Sequence, residues 1–141
     1  MTTGCSMVAV LMAAVLVAST LFQTAAAGQC DPQKDLYIWQ SLGEPQSDGS
    51  SEYRVTVTNQ CSGDERTGRP CDISRIRLRC GNFRSVIPVD PTVLRVVSQG
   101  VCLLADGHSI PQGRNVSFVY TSYVRNNLYV TSAMSTCTTT A

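Results

Sequence analysis

The sequence predicts an all-β protein: a single antiparallel β-sandwich domain, stapled by disulfides, that follows a cleaved signal peptide. Short segments alternate apolar and polar residues with the period of two that is typical of strands, and turn residues separate these segments. No apolar period of 3.6 residues persists for three helical turns. Seven cysteines are many for a chain of 141 residues, and this length fits one domain.

The first 27 residues have the pattern of an export signal. Residues 7–18 form an unbroken apolar run, which is shorter than the roughly 20 residues that a membrane-spanning helix needs. A small-residue cluster, Ala25 to Gly28, follows the run and is typical of a cleavage site. A membrane anchor is the alternative, but no basic stop-transfer cluster follows. We predict a signal peptide over residues 1–27, a secreted domain over residues 28–141, and no membrane insertion after cleavage.

Cleavage would remove Cys5 and leave an even number of cysteines. In an exported domain, this predicts three disulfides, with all 15 pairings of six cysteines left open. A zinc site is the alternative, but the spacing contains no C-x-x-C and His108 is the only histidine, whereas zinc needs four closely placed ligands. We expect neither a metal nor a cofactor. The six remaining cysteines are Cys30, Cys61, Cys71, Cys80, Cys102 and Cys137.

The mature chain divides into seven or eight short strand candidates. Residues 53–58 place alternate apolar side chains on one face. Residues 73–80 also alternate, with Arg75, Arg77 and Arg79 opposite three apolar residues. This number of short strands, with turn residues between them, indicates an antiparallel sandwich. The remaining strand candidates are residues 36–39, 86–89, 94–98, 101–104, 116–120 and 128–133.

Composition and motifs exclude several classes of function. Eleven basic residues against ten acidic ones give a net charge of +1, whereas a nucleic-acid binder shows a clear basic excess. The sequence contains no G-x-S-x-G, H-E-x-x-H, Walker loop, G-x-G-x-x-G or D-x-D motif, so it lacks the common catalytic and phosphate-binding patterns. His108 lies in the turn Ala-Asp-Gly-His-Ser and is interpreted as a solvated loop residue rather than a general base. We expect no enzyme and no nucleic-acid partner.

Two surface features are candidate sites. The basic residues are ten arginines and one lysine, and arginine is favoured at protein interfaces because its guanidinium binds carboxylates bidentately. The row of Arg75, Arg77 and Arg79 is therefore a candidate partner-binding face, with a solvated sheet face paired to cross-strand acids as the open alternative. Asn115-Val116-Ser117 is an acceptor for N-linked glycosylation, and its occupancy is left open.

Several blocks of the mature chain match the pattern of one known family. The most specific is C-x-x-F-x-S-V-x-x-V-D-P, which begins at Cys80 and ends at Pro91. With the cysteines in order, these blocks make the chain from Cys30 to Cys137 similar to the Tapetum Determinant family of small secreted plant proteins. The other matching blocks are Tyr53-Arg-Val-Thr-Val-Thr-Asn59, Cys102-Leu-Leu-Ala-Asp-Gly107, Ile110-Pro-Gln-Gly113 and Val116-Ser-Phe-Val-Tyr120.

The resemblance implies a non-enzymatic, extracellular signal. Founding members of the family are secreted ligands that a leucine-rich-repeat receptor kinase reads, and they specify tapetal cell fate in the anther. The resemblance implies that the six cysteines are a disulfide framework, and it assigns no receptor-contact residue. The expected partner is therefore a receptor-kinase ectodomain, and the expected location is the plant apoplast. A rigid domain suits this role because little surface must be ordered on binding.

A carbohydrate-binding module for cell-wall polysaccharide is the competing interpretation. Such a module needs coplanar, exposed aromatic side chains. Trp39 and Tyr123 are the candidates for that platform, because the other aromatics fall mostly on apolar strand faces and are assigned to the core. Those assigned to the core are Tyr37, Tyr53, Phe83, Phe118, Tyr120 and Tyr129.

Overall fold

The computed structural model describes residues 30–138, and the predicted signal peptide lies outside them. None of the helices in this part of the chain is long and apolar enough to cross a membrane. A short helix opens the domain, seven strands follow, and a 3-10 turn at Ala105–Gly107 comes after the fifth strand. The elements are α1 (Pro32–Asp35), β1 (Leu36–Pro45), β2 (Ser51–Asn59), β3 (Cys71–Gly81), β4 (Leu94–Ser98), β5 (Gly100–Leu104), β6 (Asn115–Ser122) and β7 (Tyr129–Cys137).

The strands form two antiparallel sheets, in the orders β1-β2-β6 and β4-β5-β3-β7. Alternate residues of each sheet point inward, so that Val55 and Val57 of β2 meet Ile76 and Leu78 of β3 in one apolar core. All four of these side chains are fully buried. The predicted all-β antiparallel sandwich is therefore confirmed, because each sheet buries one face against the other.

The prediction of a strand at residues 86–89 is wrong. This segment is irregular and touches the edge of β6 at a single residue, Thr121. The Val86 N–H donates to the Thr121 carbonyl at 2.8 Å, and the Thr121 N–H donates to Ser85 Oγ at 2.9 Å. Pro88 has no N–H to continue a ladder. The apolar residues of this segment therefore indicated a strand that the backbone does not form.

Strand β3 carries a bulge where two polar residues interrupt its alternation. Ile73 and Ile76 are both fully buried although they are three residues apart. The pairing with β7 shifts between Ser74 and Arg77, and Arg75 lies within this shift at a φ of 51°. The extra residue reverses the alternation, so the prediction of an unbroken period over residues 73–80 is wrong at this point. Beyond the bulge the alternation is as predicted.

Candidate partner-binding face

The six cysteines form three disulfides, as the sequence predicts, and sheet register explains two of the pairings. Cys71 lies directly opposite Cys137 in the β3–β7 ladder. Cys80 and Cys102 lie on the neighbouring strands β3 and β5, with Cα atoms 6.0 Å apart. The third disulfide links the segment before β1 to the segment after β2. The strands β1 and β2 are neighbours in the smaller sheet. The pairs are Cys30–Cys61, Cys71–Cys137 and Cys80–Cys102.

Three cysteine sulfurs come close enough together to resemble a metal site. The Sγ atoms of Cys30, Cys61 and Cys71 lie within 4.8 Å of one another. All three belong to disulfides, and a disulfide sulfur is not the thiolate that binds zinc. The grouping arises because the disulfides Cys30–Cys61 and Cys71–Cys137 pack against each other at one end of the sandwich.

A buried asparagine joins the two sheets at that end. Asn59, the last residue of β2, has no exposed surface. Its Nδ2 donates to the carbonyl oxygens of Cys71 and Ile110, each at 2.9 Å, and its Oδ1 accepts from the Cys61 N–H at 3.0 Å. The side chain thus hydrogen-bonds to backbone groups on three separate segments, and it joins the end of β2 to β3 in the way that buried polar groups require.

A second buried side chain, Tyr120 of β6, packs in the core beside the start of β2, at the other end of this strand from Asn59. Its ring is fully buried and stacks on Tyr53 at a centroid distance of 5.2 Å. Its hydroxyl donates to Gln40 Oε1 at 2.7 Å and accepts from the Asn126 N–H at 2.9 Å. Burial raises the pKa of Tyr120 above its usual value, so the hydroxyl stays protonated as the donor. These hydrogen bonds link the β6–β7 connection to β1.

The outer face of the larger sheet is rich in arginine. Arg77 of β3 lies opposite Leu103 of β5, and Leu103 lies opposite Arg95 of β4. The register thus adds Arg95 to the arginines predicted from the β3 sequence. We call the exposed side chains of Arg75, Arg77, Arg79 and Arg95 the arginine face.

The arginine face divides into two parts. Arg75 and Arg77 line one open depression of about 570 Å³, together with Asp106 and Met134. Arg79 instead lines a second depression, of about 440 Å³, with Asn82, Gln99 and Gly100. The three arginines predicted as one row therefore line two depressions, one shared by Arg75 and Arg77 and the other lined by Arg79.

Few acidic groups neutralise this face. Arg95 forms an ion pair with Asp106. Between residues 30 and 138, no carboxylate forms an ion pair with Arg75, Arg77 or Arg79. The cross-strand acids that a purely solvated face would carry are not paired with these three side chains, which leaves their guanidinium groups accessible to a carboxylate on another molecule.

Arg75 occupies a backbone conformation that L-residues with side chains rarely adopt. We expect Arg75→Gly to leave the free energy of unfolding within about 0.5 kcal/mol of the wild-type value, because glycine has no steric penalty at positive φ. The matched change Arg77→Gly, in extended backbone, should cost about 1 kcal/mol. Urea unfolding of both variants measures the difference. Equal losses would contradict the strain at Arg75.

The remaining candidates are His108, Tyr123, Asn115 and Trp39, and none of them lines the two depressions of the arginine face. His108 is exposed, and its Nδ1 lies 2.8 Å from the Ala105 carbonyl. Tyr123 donates to Asp48 at 3.2 Å, and the Asp48 carboxylate raises the pKa of Tyr123. Asn115 is exposed at the start of β6. Trp39 is in register with Thr56 and Ser117, and Tyr123 follows Ser117 by about 20 Å of extended chain, so the two rings do not form a platform.

Two aromatic residues assigned to the core are in fact exposed. Tyr37 is 46% exposed and Tyr129 is 50% exposed. Tyr37 shares the outer face of β1 with Trp39, because residues two apart on a strand point to the same side. Tyr129 lies opposite Arg79 at the start of β7. The core assignment failed because both tyrosines border apolar residues in sequence yet lie on the edge strands β1 and β7.

The fold and its surface define a small, disulfide-linked β-sandwich protein with an arginine-rich outer sheet face. Residues 32–137 match the family model "Tapetum determinant 1, C-terminal". The chain therefore belongs to this family, as the sequence resemblance indicated.

Relatives in rice and Arabidopsis show the same similarity. TPD1 protein homolog 1A of Oryza sativa subsp. japonica is 39% identical over 104 residues, which are 74% of this chain and 46% of the relative. TPD1 protein homolog 1 of Arabidopsis thaliana is 32% identical over 105 residues, which are 74% of this chain and 55% of the relative. The chain thus spans about half the length of these curated relatives. No solved structure matches the chain.

Proposed function

We propose that this protein is a secreted, non-enzymatic ligand for the ectodomain of a plant leucine-rich-repeat receptor kinase, and that the arginine face contacts the receptor. The observation that carries the proposal is that Arg75, Arg77 and Arg79, on the outer face of the larger sheet, form no ion pair with any carboxylate between residues 30 and 138, in a member of the Tapetum determinant 1 family. By analogy with that family, the proposed role is the specification of cell fate in the developing anther.

The cysteine framework supports an extracellular location. All six cysteines between residues 30 and 138 are paired, and disulfides persist in oxidising compartments. The proposed site of action is therefore the apoplast. The hydrogen bonds of buried Asn59 and Tyr120 hold the strands and connections around them in place. We therefore propose that the backbone of the domain does not rearrange when it binds. A preorganised surface loses little conformational entropy when it binds.

Electrostatics supports the arginine face as the contact surface. The partner proposed for it is an acidic strip on the concave side of a repeat receptor, since such receptors present an extended surface to folded ligands. Arg75 and Arg77 together flank a depression that would admit carboxylate side chains. Unpaired surface charges mainly raise the association rate and select the partner.

Arg77→Glu should slow association with the receptor ectodomain about tenfold at low salt, because it reverses a charge that steers the encounter. The mutant's association rate should also depend less on ionic strength, since salt screens steering. Surface plasmon resonance at two ionic strengths measures both effects. The matched control is Arg54→Glu, the same charge change at an exposed position on the smaller sheet, which should leave the rate nearly unchanged.

Thermal melts accompany these measurements and separate binding from folding. An outward substitution of this kind changes stability by about 0.5 kcal/mol or less. If folded Arg77→Glu bound the receptor ectodomain at the wild-type rate, the arginine face would be a solvated surface with no role in binding. A pull-down with the mature domain from plant extracellular extract tests the class of partner itself, and it should recover a receptor-kinase ectodomain.

A carbohydrate-binding module is the second candidate, and one observation favours it. Trp39 is 55% exposed and lies beside exposed Tyr37 on β1, which is the kind of aromatic pair on which sugar rings stack. Retention of the wild-type domain, but not of Trp39→Ala, on cell-wall polysaccharide would favour this function. If, in addition, no receptor ectodomain is recovered, the carbohydrate function replaces the ligand function.

A further inference from the structure

The outer face of the smaller sheet aligns two rows of side chains across its three strands. Tyr37 of β1 lies opposite Thr58 of β2, and Thr58 lies opposite Asn115 of β6. The neighbouring row consists, in the same order, of Trp39, Thr56 and Ser117. Residues directly opposite each other in an antiparallel ladder point to the same face.

This face combines exposed rings with hydroxyl groups. Tyr37 and Trp39 are about half exposed, and the hydroxyls of Thr56 and Ser117 are hydrogen-bonded to each other at 3.0 Å. The rings lie on β1, and the hydroxyls lie on β2 and β6. Flat apolar ring faces beside hydroxyl groups match the surface of a pyranose ring, which has one apolar C–H face and a polar rim.

The glycosylation acceptor lies on the same face as the rings. Asn115 begins β6, and its side chain is exposed, so the amide is accessible as an acceptor. Two strand spacings separate it from Tyr37, which amounts to about 10 Å. A glycan on Asn115 begins with two N-acetylglucosamine units, and these span a comparable length. The sheet register therefore places the aromatic pair within reach of a sugar chain attached to Asn115.

We propose that Asn115 carries an N-linked glycan whose first two N-acetylglucosamine units lie across β2 and stack on the rings of Tyr37 and Trp39. The apolar face of each sugar covers ring surface that would otherwise face water. The side chains of Thr56 and Thr58 lie beneath the glycan and offer hydroxyls to its polar rim. The occupant of this face is thus part of the same molecule.

The inference rests on the proposed function only in requiring export, and it sharpens that function. A glycan is bulky and solvated, so it would keep a protein partner off the smaller sheet. The arginine face, on the opposite side of the sandwich, stays uncovered. Glycosylation would therefore assign the two outer faces of the sandwich to different roles, one shielded and one free to bind a receptor.

The chain contains a single tryptophan, so Trp39 reports on the proposed contact. We would express the full chain in secreting plant cells, determine occupancy at Asn115 by intact and peptide mass spectrometry, and measure acrylamide quenching of Trp39 fluorescence. A sugar that covers one ring face should lower the quenching constant about twofold relative to Asn115→Gln. Enzymatic removal of the glycan from folded wild-type protein gives the same comparison without a substitution.

A relocated glycan is the matched control. In the double variant Asn115→Gln/Arg84→Thr, the new acceptor triplet begins at Asn82, an exposed residue beyond β3. This variant should carry a glycan of similar mass and show the high quenching constant of the single variant Asn115→Gln. The comparison distinguishes contact with Trp39 from a general effect of glycosylation.

Three outcomes would overturn the inference. The first is secreted wild-type protein with no glycan on Asn115, and the second is a chain that is not exported. The third is occupied Asn115 with unchanged quenching after glycan removal, in which case soluble polysaccharide fragments would be tested on the same rings. Failure of the glycosylated protein to bind a receptor ectodomain would instead count against the proposed function and leave this inference standing.

Discussion

Cys102→Ser should abolish the accumulation of folded protein in the medium. The substitution removes the disulfide to Cys80, and loss of a native disulfide from a small exported domain costs about 2–5 kcal/mol. Cys102 has no exposed surface. The serine hydroxyl introduced in its place would therefore be buried at a position that does not supply it with a hydrogen-bond partner. These losses are a large part of a total stability of about 5–15 kcal/mol. Immunoblotting of the medium and of the cell fraction measures the outcome.

Cys5→Ser is the matched control, because this cysteine lies in the predicted signal peptide and outside the described residues. We expect it to leave the secreted yield unchanged. Alkylation of the secreted wild-type protein without reductant should add no mass, since all six mature cysteines are paired. A wild-type yield of folded Cys102→Ser would refute the structural importance of this disulfide.

Asn59→Asp should lower the free energy of unfolding by about 3 kcal/mol or more. The aspartate has the same shape as asparagine, but it cannot donate to the carbonyls of Cys71 and Ile110. Ionisation of a fully buried carboxyl group adds a further cost. We expect the melting temperature to fall by about 10–20 °C, measured by circular dichroism on purified protein.

Asn82→Asp makes the same chemical change at an exposed position. It should change the stability by about 0.5 kcal/mol or less. If the two variants melted at the same temperature, the hydrogen bonds of Asn59 would contribute nothing to joining the sheets. If Asn59→Asp does not accumulate, Asn59→Ser provides a measurable variant, because it removes the amide without introducing a charge.

The strands that follow the period-two rule closely were predictable from sequence. Residues 53–58 fall within β2, whose inward side chains are Val55 and Val57. The rule failed where backbone geometry intervenes. It missed the bulge at Arg75, although the spacing of three residues between Ile73 and Ile76 marks the break in the alternation, and it missed the extension of β1 to Pro45. That extension depends on hydrogen bonds to β2 rather than on an apolar pattern.

The part of the arginine face that lies on a single strand, β3, was predictable from the sequence, but the part contributed by another strand was not. The sequence of β3 indicates outward arginines at Arg77 and Arg79, and the structure exposes both. It contains no information that Arg95 lies across β5 from Arg77, because strand order and register depend on the whole sheet. Asn59 was missed for the same reason. Its position at the end of an alternating strand, two residues before a cysteine, is the one local signal that could have identified it.

The pairing of Cys71 with Cys137 has a consequence for the order in which the chain oxidises. The partners are 66 residues apart, whereas the other two pairs are separated by 31 and 22 residues. In the exported chain proposed above, a synthesis rate of about 5–20 residues per second would bring Cys71 into the oxidising compartment roughly 3–13 s before its partner. During this interval the unpaired Cys71 thiolate can attack the Cys30–Cys61 disulfide. In the folded domain the Sγ atoms of Cys30, Cys61 and Cys71 lie within 4.8 Å of one another. Correct closure of the framework therefore waits for β7, the strand made last, and a disulfide isomerase would be needed to correct any exchange that precedes it.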